Sequence, residues 1–263
     1  RGMSSAASDV YKRQFQNPST LYAHQQLEER KVNMRENALI IGAGLGLSAS
    51  LARLLTKNNF NVAIAARNIE KLEDLKIETN SKVFQCDASN IEDVENLFIQ
   101  SDKLLGPPNL VIYNPSARVR GGIAEVDPVE TQKAIDITCF GAFLCAQQAA
   151  IRMLKRGAGS IFFTGASAGV KGYPKSSVFA MGKFGLRGLA QALARELHPQ
   201  NIHIGHFVID GGIHADHRPE RKDPGNDSML DPDALAETYL QFHRQDRSSW
   251  AWEIELRPWV ETF

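Results

Sequence analysis

The feature that most constrains the fold is an alternation, from Ala38 onward, of short apolar runs with helical stretches. Strands that are apolar on both faces and that helices separate indicate a parallel sheet covered by helices on both sides. We therefore predict an α/β fold with a doubly wound parallel sheet of about seven strands, in one domain over residues 37–263. The runs that we interpret as strands are "ALIIG", "NVAIAA", "KVFQC", "NLVIY", "SIFFT", "IHIGHFVI" and "WAWEIEL".

The first 36 residues do not show this alternation. They contain no apolar segment typical of a secretory signal and no sustained periodicity, and the piece "SSAASDVYKRQ" looks foreign to the protein, which makes Met34 the expected native start. We predict that residues 1–36 are a disordered or non-native extension, since a terminus that no sheet holds is usually mobile. The alternative is that "LYAHQQLEERKV" forms an amphipathic arm that docks on a partner subunit.

The charge balance and the cysteines narrow the functional class. Thirty basic and thirty acidic side chains cancel, so the chain has no net field to attract nucleic acid or an anionic membrane. No apolar run in the sequence looks long enough to span a bilayer, and we expect neither partner. The three cysteines, Cys86, Cys139 and Cys145, lie in apolar stretches. Their odd number argues against a disulfide framework and favours a reducing, cytoplasmic setting.

A glycine-rich turn joins the first strand to the first helix. The segment "IIGAGLGLSASLA" places Gly42, Gly44 and Gly46 there, with Leu47 opening the helix. Residues without a Cβ let backbone amides approach a pyrophosphate, whose negative charge then meets the positive end of the helix dipole. Glycines also mark ordinary turns, but this position directly after the first strand predicts a dinucleotide site.

The end of the second strand indicates which dinucleotide is bound. An acidic residue at this point would accept hydrogen bonds from the adenosine ribose and favour NAD(H). Here the strand ends in Ala65 and Ala66, and Arg67 and Asn68 follow. A guanidinium at this position pairs with a 2′-phosphate, so we predict NADP(H) rather than NAD(H). The alternative interpretation is that Arg67 is an ordinary surface charge.

These features together resemble the short-chain dehydrogenase/reductase family, whose domain is a Rossmann fold, over residues 38 to 260. The glycines of the family motif TGxxxGxG fall on Gly42 and Gly46, while Ile41 replaces the threonine and Ser48 the last glycine. The resemblance implies that Lys183 binds the ribose of the nicotinamide half of the cofactor.

The same resemblance assigns four more residues to the cofactor. Asp87 and Ala88 follow the third strand, where the family has the acid that binds the adenine amino group. Asn114 in "YNPSA" is the surviving asparagine of the family segment NNAG, and Ile213 follows the turn after the sixth strand.

The catalytic tetrad of that family is asparagine, serine, tyrosine and lysine, and only the lysine is retained. Thr138 stands in the asparagine position, Ala166 in the serine position and Phe179 in the tyrosine position, four residues before Lys183. In the family the tyrosine exchanges a proton with the substrate oxygen, and a positioned acid contributes about 10²–10⁴-fold to the rate. Losing the tyrosine and serine hydroxyls implies impaired ordinary carbonyl reduction without loss of cofactor binding.

Two nearby hydroxyl groups are candidates to replace the missing ones. Ser167 follows Ala166 directly, and Tyr173 lies on the loop before the helix that carries Lys183. We name both, with Lys183, as candidate catalytic residues. A serine at a strand end is otherwise a cap, and a loop tyrosine is otherwise packing.

A polar loop after the sixth strand resembles the family's substrate lid. It contains His214, Asp216 and His217, an H-x-D-H group whose imidazoles and carboxylate suit divalent ions. Because no further ligands are visible in the sequence, we expect no metal site there.

Two functions remain open. The first is an oxidoreductase with NADP(H) that acts on a small carbonyl, an alcohol or an activated double bond through a modified site. The second is an inactive NADP(H)-binding pseudo-enzyme that serves as a sensor or as a component of an oligomer. The resemblance also implies a homodimer or homotetramer, paired through long helices predicted over residues 128–156 and 177–197.

Overall fold

The main sheet confirms the predicted fold class. The computed structural model describes residues 35–261, and in them seven strands, all parallel, pair in the order β3-β2-β1-β4-β5-β6-β9. These strands are β1 (Glu36–Ile41), β2 (Phe60–Ala66), β3 (Lys82–Gln85), β4 (Leu110–Tyr113), β5 (Gly159–Thr164), β6 (Ile202–Ile209) and β9 (Glu253–Leu256). A second, two-stranded sheet pairs β7 (Gly212–Ile213) with β8 (Met229–Leu230).

Helices connect the strands, as the alternation predicts. They are α1 (Leu47–Lys57), α2 (Glu73–Thr79), α3 (Ile91–Leu105), α4 (Pro128–Ile135), α5 (Gly141–Arg156), α6 (Ser177–Leu197) and α7 (Pro232–His243). The predicted helix over 128–156 is present but is interrupted by a π turn at Asp136–Phe140. The start of this helix is capped, because Asp127 Oδ1 accepts hydrogen bonds from the backbone amides of Val129 and Glu130.

The helices bury one hydrophobic core on each face of the sheet. Successive side chains of a strand point to opposite faces, and β1 shows the consequence. Leu39 and Ile41 pack in the core that α3, α5 and α6 cover, whereas Ala38 and Ile40 pack in the core under α1 and α7. Burial on both faces explains why the central strands β1 and β4 are largely apolar rather than alternating, whereas the edge strands β3 and β9 carry exposed polar residues.

The ends of the chain and its longest helical segment bear on two expectations from the sequence. The predicted N-terminal extension lies outside the described residues except for Arg35 and Glu36, and Glu36 already belongs to β1.

The helical segment Pro128–Arg156 is long and apolar enough to cross a membrane by length and composition, with a mean hydropathy of 1.4 over its most apolar stretch. The expectation that no run reaches this length is therefore wrong, although core helices of globular proteins pass the same test.

The strand order places a crevice beside β1. The chain runs outward from β1 to β2 and β3, then crosses back so that β4 pairs with the other edge of β1. In open parallel sheets, ligands bind at such a reversal, outside the carboxyl ends of the strands. The glycine turn follows β1, and Asn114 follows β4, so both lie at this edge.

Candidate active site

A cleft of about 830 Å³ opens at the carboxyl edge of the sheet. It brings together all of the residues that the sequence assigns to the cofactor. These are Gly42, Gly44, Gly46, Leu47, Arg67, Asn68, Asp87, Ala88, Asn114, Lys183 and Ile213.

The glycine turn forms one wall of the cleft. Gly42 has a φ of +79°, and a Cβ there would lie 2.6 Å from the backbone nitrogen of Pro115, so only glycine fits. A Cβ at Gly44 or Gly46 would meet no atom within 4 Å, because these positions face open space. The backbone of the turn is thus exposed for close approach by a ligand.

The N-terminus of α1 adds positive charge to this wall. No side chain caps the helix at Gly46, and its first turn carries no acidic residue. The unsatisfied amides and the positive end of the helix dipole therefore remain available to an anion. A turn with open space at two glycines and an uncapped helix suits the diphosphate of a dinucleotide.

Asn114 ties the end of β4 to this turn. Its side-chain Nδ2 donates to Ser48 Oγ at 2.7 Å, and Ser48 Oγ donates to the carbonyl of Gly42 at 3.3 Å. The backbone amide of Asn114 also donates a hydrogen bond to the backbone carbonyl of Ile41 at 3.0 Å. Asn114 therefore holds the turn in place from the neighbouring strand.

The end of β2 contributes two cationic side chains. Arg67 and Lys71 both line the cleft, and within residues 35–261 neither forms an ion pair with a carboxylate. Asn68 Oδ1 accepts a hydrogen bond from the amide of Glu70 at 3.0 Å and so starts the short helical turn Glu70–Leu72 that carries Lys71. Sequence reasoning missed Lys71, whose one signal is its position four residues after Arg67.

Asp87 remains ionised at the adjacent strand end. Its Oδ1 accepts hydrogen bonds from the amide and the hydroxyl of Ser89, at 3.0 and 2.7 Å. Partial burial acts to raise the pKa of Asp87, but these bonds and the charge of Arg67 outweigh it and lower the pKa. The carboxylate is therefore a hydrogen-bond acceptor at neutral pH.

Lys183 reaches the opposite part of the cleft from α6. It is 2% exposed, and its Nζ donates to the carbonyl of Thr164 at 2.7 Å. Burial, and secondarily the positive charge of Arg118, lower the pKa of Lys183 to about 7. A lysine with such a pKa can both hold and release a proton near neutral pH.

The other three positions that the resemblance assigns to the tetrad bring no hydroxyl into the cleft, because Ala166 and Phe179 have none and Thr138 is not among the lining residues. Phe179 is 5% exposed, and its ring centroid lies 5.8 Å from Lys183 Nζ. Ala166 lines the cleft. Thr138 is buried in the π turn, where its Oγ1 accepts a hydrogen bond from the amide of Ala117 at 3.0 Å. Thr138 packs close to α6, since a Cβ at Gly182 would lie 2.9 Å from its Cβ.

The two proposed replacement hydroxyls do not reach this cleft. Ser167 begins the short helical turn Ser167–Gly169 and is not among the lining residues. Tyr173 is 42% exposed on the following loop, where Lys171 Nζ lies 5.8 Å from its ring centroid. Neither residue is among those that line the cleft with Lys183.

The H-x-D-H group lies at the mouth of the cleft, and the ring nitrogens of its His214 already have partners within the protein. His214 and His217 line the cleft. His214 Nε2 lies 3.1 Å from Asp216 Oδ1, and its Nδ1 accepts a hydrogen bond from the amide of Asp223 at 3.1 Å. Among the described residues, no group of three or more histidine, cysteine or acidic side chains is placed to hold a metal.

Three arginines also line the cleft, and the sequence analysis did not identify them. Arg118 comes from the loop between β4 and α4, and Arg218 and Arg221 come from the loop between β7 and β8. Arg118 lies about a hundred residues before the other two in the chain, so no local pattern connects it with them. The one sequence signal was the high charge of the second loop.

Comparison with known proteins is consistent with this geometry. The profile of the family described as short chain dehydrogenase matches residues 36–224. A solved short-chain dehydrogenase from Rhodopseudomonas palustris is 33% identical, with a TM-score of 0.74, over 85% of this chain and 99% of that one.

Two further relatives are more distant. The human 3-oxoacyl-[acyl-carrier-protein] reductase is 26% identical over 186 residues, which are 70% of this chain and 78% of the human protein. A metagenomic short-chain oxidoreductase solved in complex with NADP has a TM-score of 0.74 at 22% identity, over 86% of this chain and 98% of that one. At that identity, the second likeness concerns the fold alone.

Proposed function

This chain belongs to the short-chain dehydrogenase family, and we propose that it is an oxidoreductase that binds NADP(H) in the cleft and reduces a small carbonyl compound or activated double bond. The observation that carries the proposal is Lys183. A buried amine without a carboxylate partner is costly for the folded state. Lys183 lies in the same cleft as the glycine turn, which supports a functional role for its amine.

The residues of the cleft divide into those that would hold the cofactor and those that face the reaction. The turn at Gly42–Gly46 and the start of α1 suit the diphosphate, and Asp87 suits the adenine amino group. Arg67 and Lys71 suit a 2′-phosphate, since both are cationic, line the cleft and have no ion-pair partner in the described part of the chain. NADPH, when bound, supplies a hydride.

Lys183 provides the proton that such a reduction also needs. With a pKa of about 7, its ammonium group releases a proton more readily than an ordinary lysine does. In carbonyl reduction, the proton would move from Lys183 Nζ to the carbonyl oxygen, while the hydride goes to the carbon. The hydrogen bond from Nζ to the carbonyl of Thr164 orients the amine for this step.

A pseudo-enzyme that only binds NADP(H) is the second candidate. It is favoured because Ala166 and Phe179 carry no hydroxyl, and because Thr138, Ser167 and Tyr173 are not among the residues that line the cleft. A substrate that needs little proton assistance fits the enzyme interpretation better than an ordinary ketone does.

Thermal unfolding with NADP⁺, NADPH, NAD⁺ and NADH in turn tests cofactor binding. A ligand present at one hundred times its dissociation constant raises the free energy of unfolding by about 2.7 kcal/mol. In a domain of this size, that raises Tm by roughly 5–10 °C. We expect this shift with the phosphorylated pair. Arg67→Gln should weaken NADPH binding about 10-fold, which is about 1.4 kcal/mol, and should leave NADH unchanged.

Lys82→Gln is the matched control, because Lys82 is an exposed cation at the start of β3 that does not line the cleft. No shift with any of the four dinucleotides would overturn the proposal. A shift without transfer of labelled hydride from NADPH to any ketone, aldehyde or enone would favour the pseudo-enzyme.

A further inference from the structure

Three arginines that form no ion pair in the described part of the chain line the cleft that also contains Lys183. Within residues 35–261, no carboxylate oxygen lies within 4.0 Å of a guanidinium nitrogen of Arg118, Arg218 or Arg221. Arg118 and Arg218 are exposed and Arg221 is half-buried. Like charges that line one cleft repel each other, and a bound anion would relieve that repulsion.

Two half-buried arginines outside the cleft have carboxylate partners. Arg152 Nε lies 2.6 Å from Asp102, and Arg187 Nε lies 2.6 Å from Glu253. In the cleft, partial burial lowers the pKa of Arg118, and the charges of Arg221 and Arg120 lower it further. The cleft thus carries positive charge that the described part of the chain leaves uncompensated.

Phe179 holds one of these guanidinium groups in a defined orientation. The guanidinium carbon of Arg118 lies 4.0 Å from the centroid of the Phe179 ring, within the range of a cation–π contact. A guanidinium stacked on a ring by its face still presents its N–H edge, which matches the two oxygens of a carboxylate or phosphate. The Phe179 ring therefore holds the guanidinium of Arg118 through a cation–π contact.

Arg221 is placed by the short turn Pro219–Arg221. The amide of Ala215 donates to the carbonyl of Arg221 at 2.9 Å, which closes this loop. Its guanidinium lies against Gly212, where a Cβ would be 2.9 Å from Nη1. Two cations from separate loops therefore reach the same cleft from fixed positions.

We propose that the substrate is an oxyanion, a carboxylate or a phosphate, whose charged group binds Arg118 and Arg221, with Arg218 at the mouth of the cleft. The proposal rests on the proposed function, of which it names the substrate class. Because Arg118 contacts Phe179 and Phe179 lies beside Lys183, the anionic group is held near the proton donor. The cations for the cofactor, Arg67 and Lys71, belong to another strand end.

Calorimetric titration of the NADPH-saturated full chain tests this. The probes are malonate, inorganic phosphate and malonamide, the last being the neutral counterpart of malonate. We expect one or both anions to bind and malonamide not to bind, and the tighter anion identifies the carboxylate or phosphate source. Arg118→Gln and Arg221→Gln should each lower the affinity for the anion at least 10-fold. Arg118→Lys should lower this affinity less than Arg118→Gln does.

Arg120→Gln is the matched control, since Arg120 lies on the same loop as Arg118, carries the same charge and does not line the cleft. It should change anion affinity less than twofold. Equal loss in Arg120→Gln and Arg118→Gln, or binding of neither anion, would overturn the proposal. Repeating the titration without NADPH separates the two hypotheses: anion binding that persists in a chain that fails to bind NADPH overturns the proposed function and not the arginine site.

Discussion

The guanidinium of Arg118 lies 4.0 Å above the ring of Phe179, and Lys183 Nζ lies 5.8 Å from the same ring centroid. The ring that stands in the tyrosine position is therefore flanked by two cations. Phe179 is 5% exposed, so its ring is packed in this position. The ring offers an aromatic surface on which a cation is held.

Phe179→Tyr should restore the missing proton donor. We expect the rate of NADPH-dependent reduction to rise on the order of 10²-fold, the lower end of what a positioned acid contributes, because the new hydroxyl would lie beside Lys183. The measurement is kcat with a ketone that the wild type reduces slowly. Phe184→Tyr, on an exposed part of the same helix, is the control, and an equal rate in both variants would contradict the prediction.

Reduction should slow as the pH rises through the pKa of Lys183. The amine is protonated below about pH 7 and neutral above it, so a rate that depends on its proton falls above neutrality. Arg118→Gln removes a positive neighbour and should move the inflection to higher pH. A pH–rate profile of wild type, Arg118→Gln and Lys183→Gln checks this, and an inflection that survives in Lys183→Gln would assign it to another group.

Acid should destabilise the fold through two buried histidines. Burial lowers the pKa of His203 and His206 to about 4, and each ring has a buried nitrogen without a partner in the described structure, so an added proton finds no acceptor. Unfolded histidine titrates near 6.5. Between pH 6.5 and 4 the unfolded chain thus binds protons that the folded chain does not, and stability falls as the pH falls.

Urea unfolding at pH 7 and pH 5 measures this loss. We expect the free energy of unfolding to drop on the order of 1–2 kcal/mol for each histidine. His203 stacks between Phe242 and Trp250 at centroid distances of 4.9 and 4.5 Å. His203→Phe fits this stack and should reduce the pH dependence, whereas an unchanged dependence would exclude His203 as a source.

Gly42→Ala should destabilise the domain. The residue has a positive φ and a Cβ would lie 2.6 Å from the backbone of Pro115, so strain and overpacking together should cost about 2 kcal/mol or more. Gly188→Ala, in α6 with no atom within 4 Å of the added Cβ, should instead stabilise by about 0.5–1 kcal/mol. Urea midpoints of the two variants should move in opposite directions.

Much of the site could be read from the sequence because local patterns determine it. A continuous apolar run marks a buried parallel strand, and the residues that follow such strands must meet at one edge of the sheet. Gly42, Arg67, Asp87 and Asn114 each follow a strand, and all four line the cleft. Their common location required only the order of the strands.

What the tertiary structure decided is which side chains of the long loops and of α6 face one another. Whether Ser167 lines the cleft depends on how the chain folds after β5, and Ser167 is not among the lining residues. Arg118 and Arg221 lie 103 positions apart in the numbering and face one cleft because separate loops fold over the same sheet edge. Local periodicity carries no information about such long-range packing. The sequence alone therefore determined the wall of the cleft that the glycine turn and the strand ends form, and only the fold revealed the cationic side chains beside Phe179.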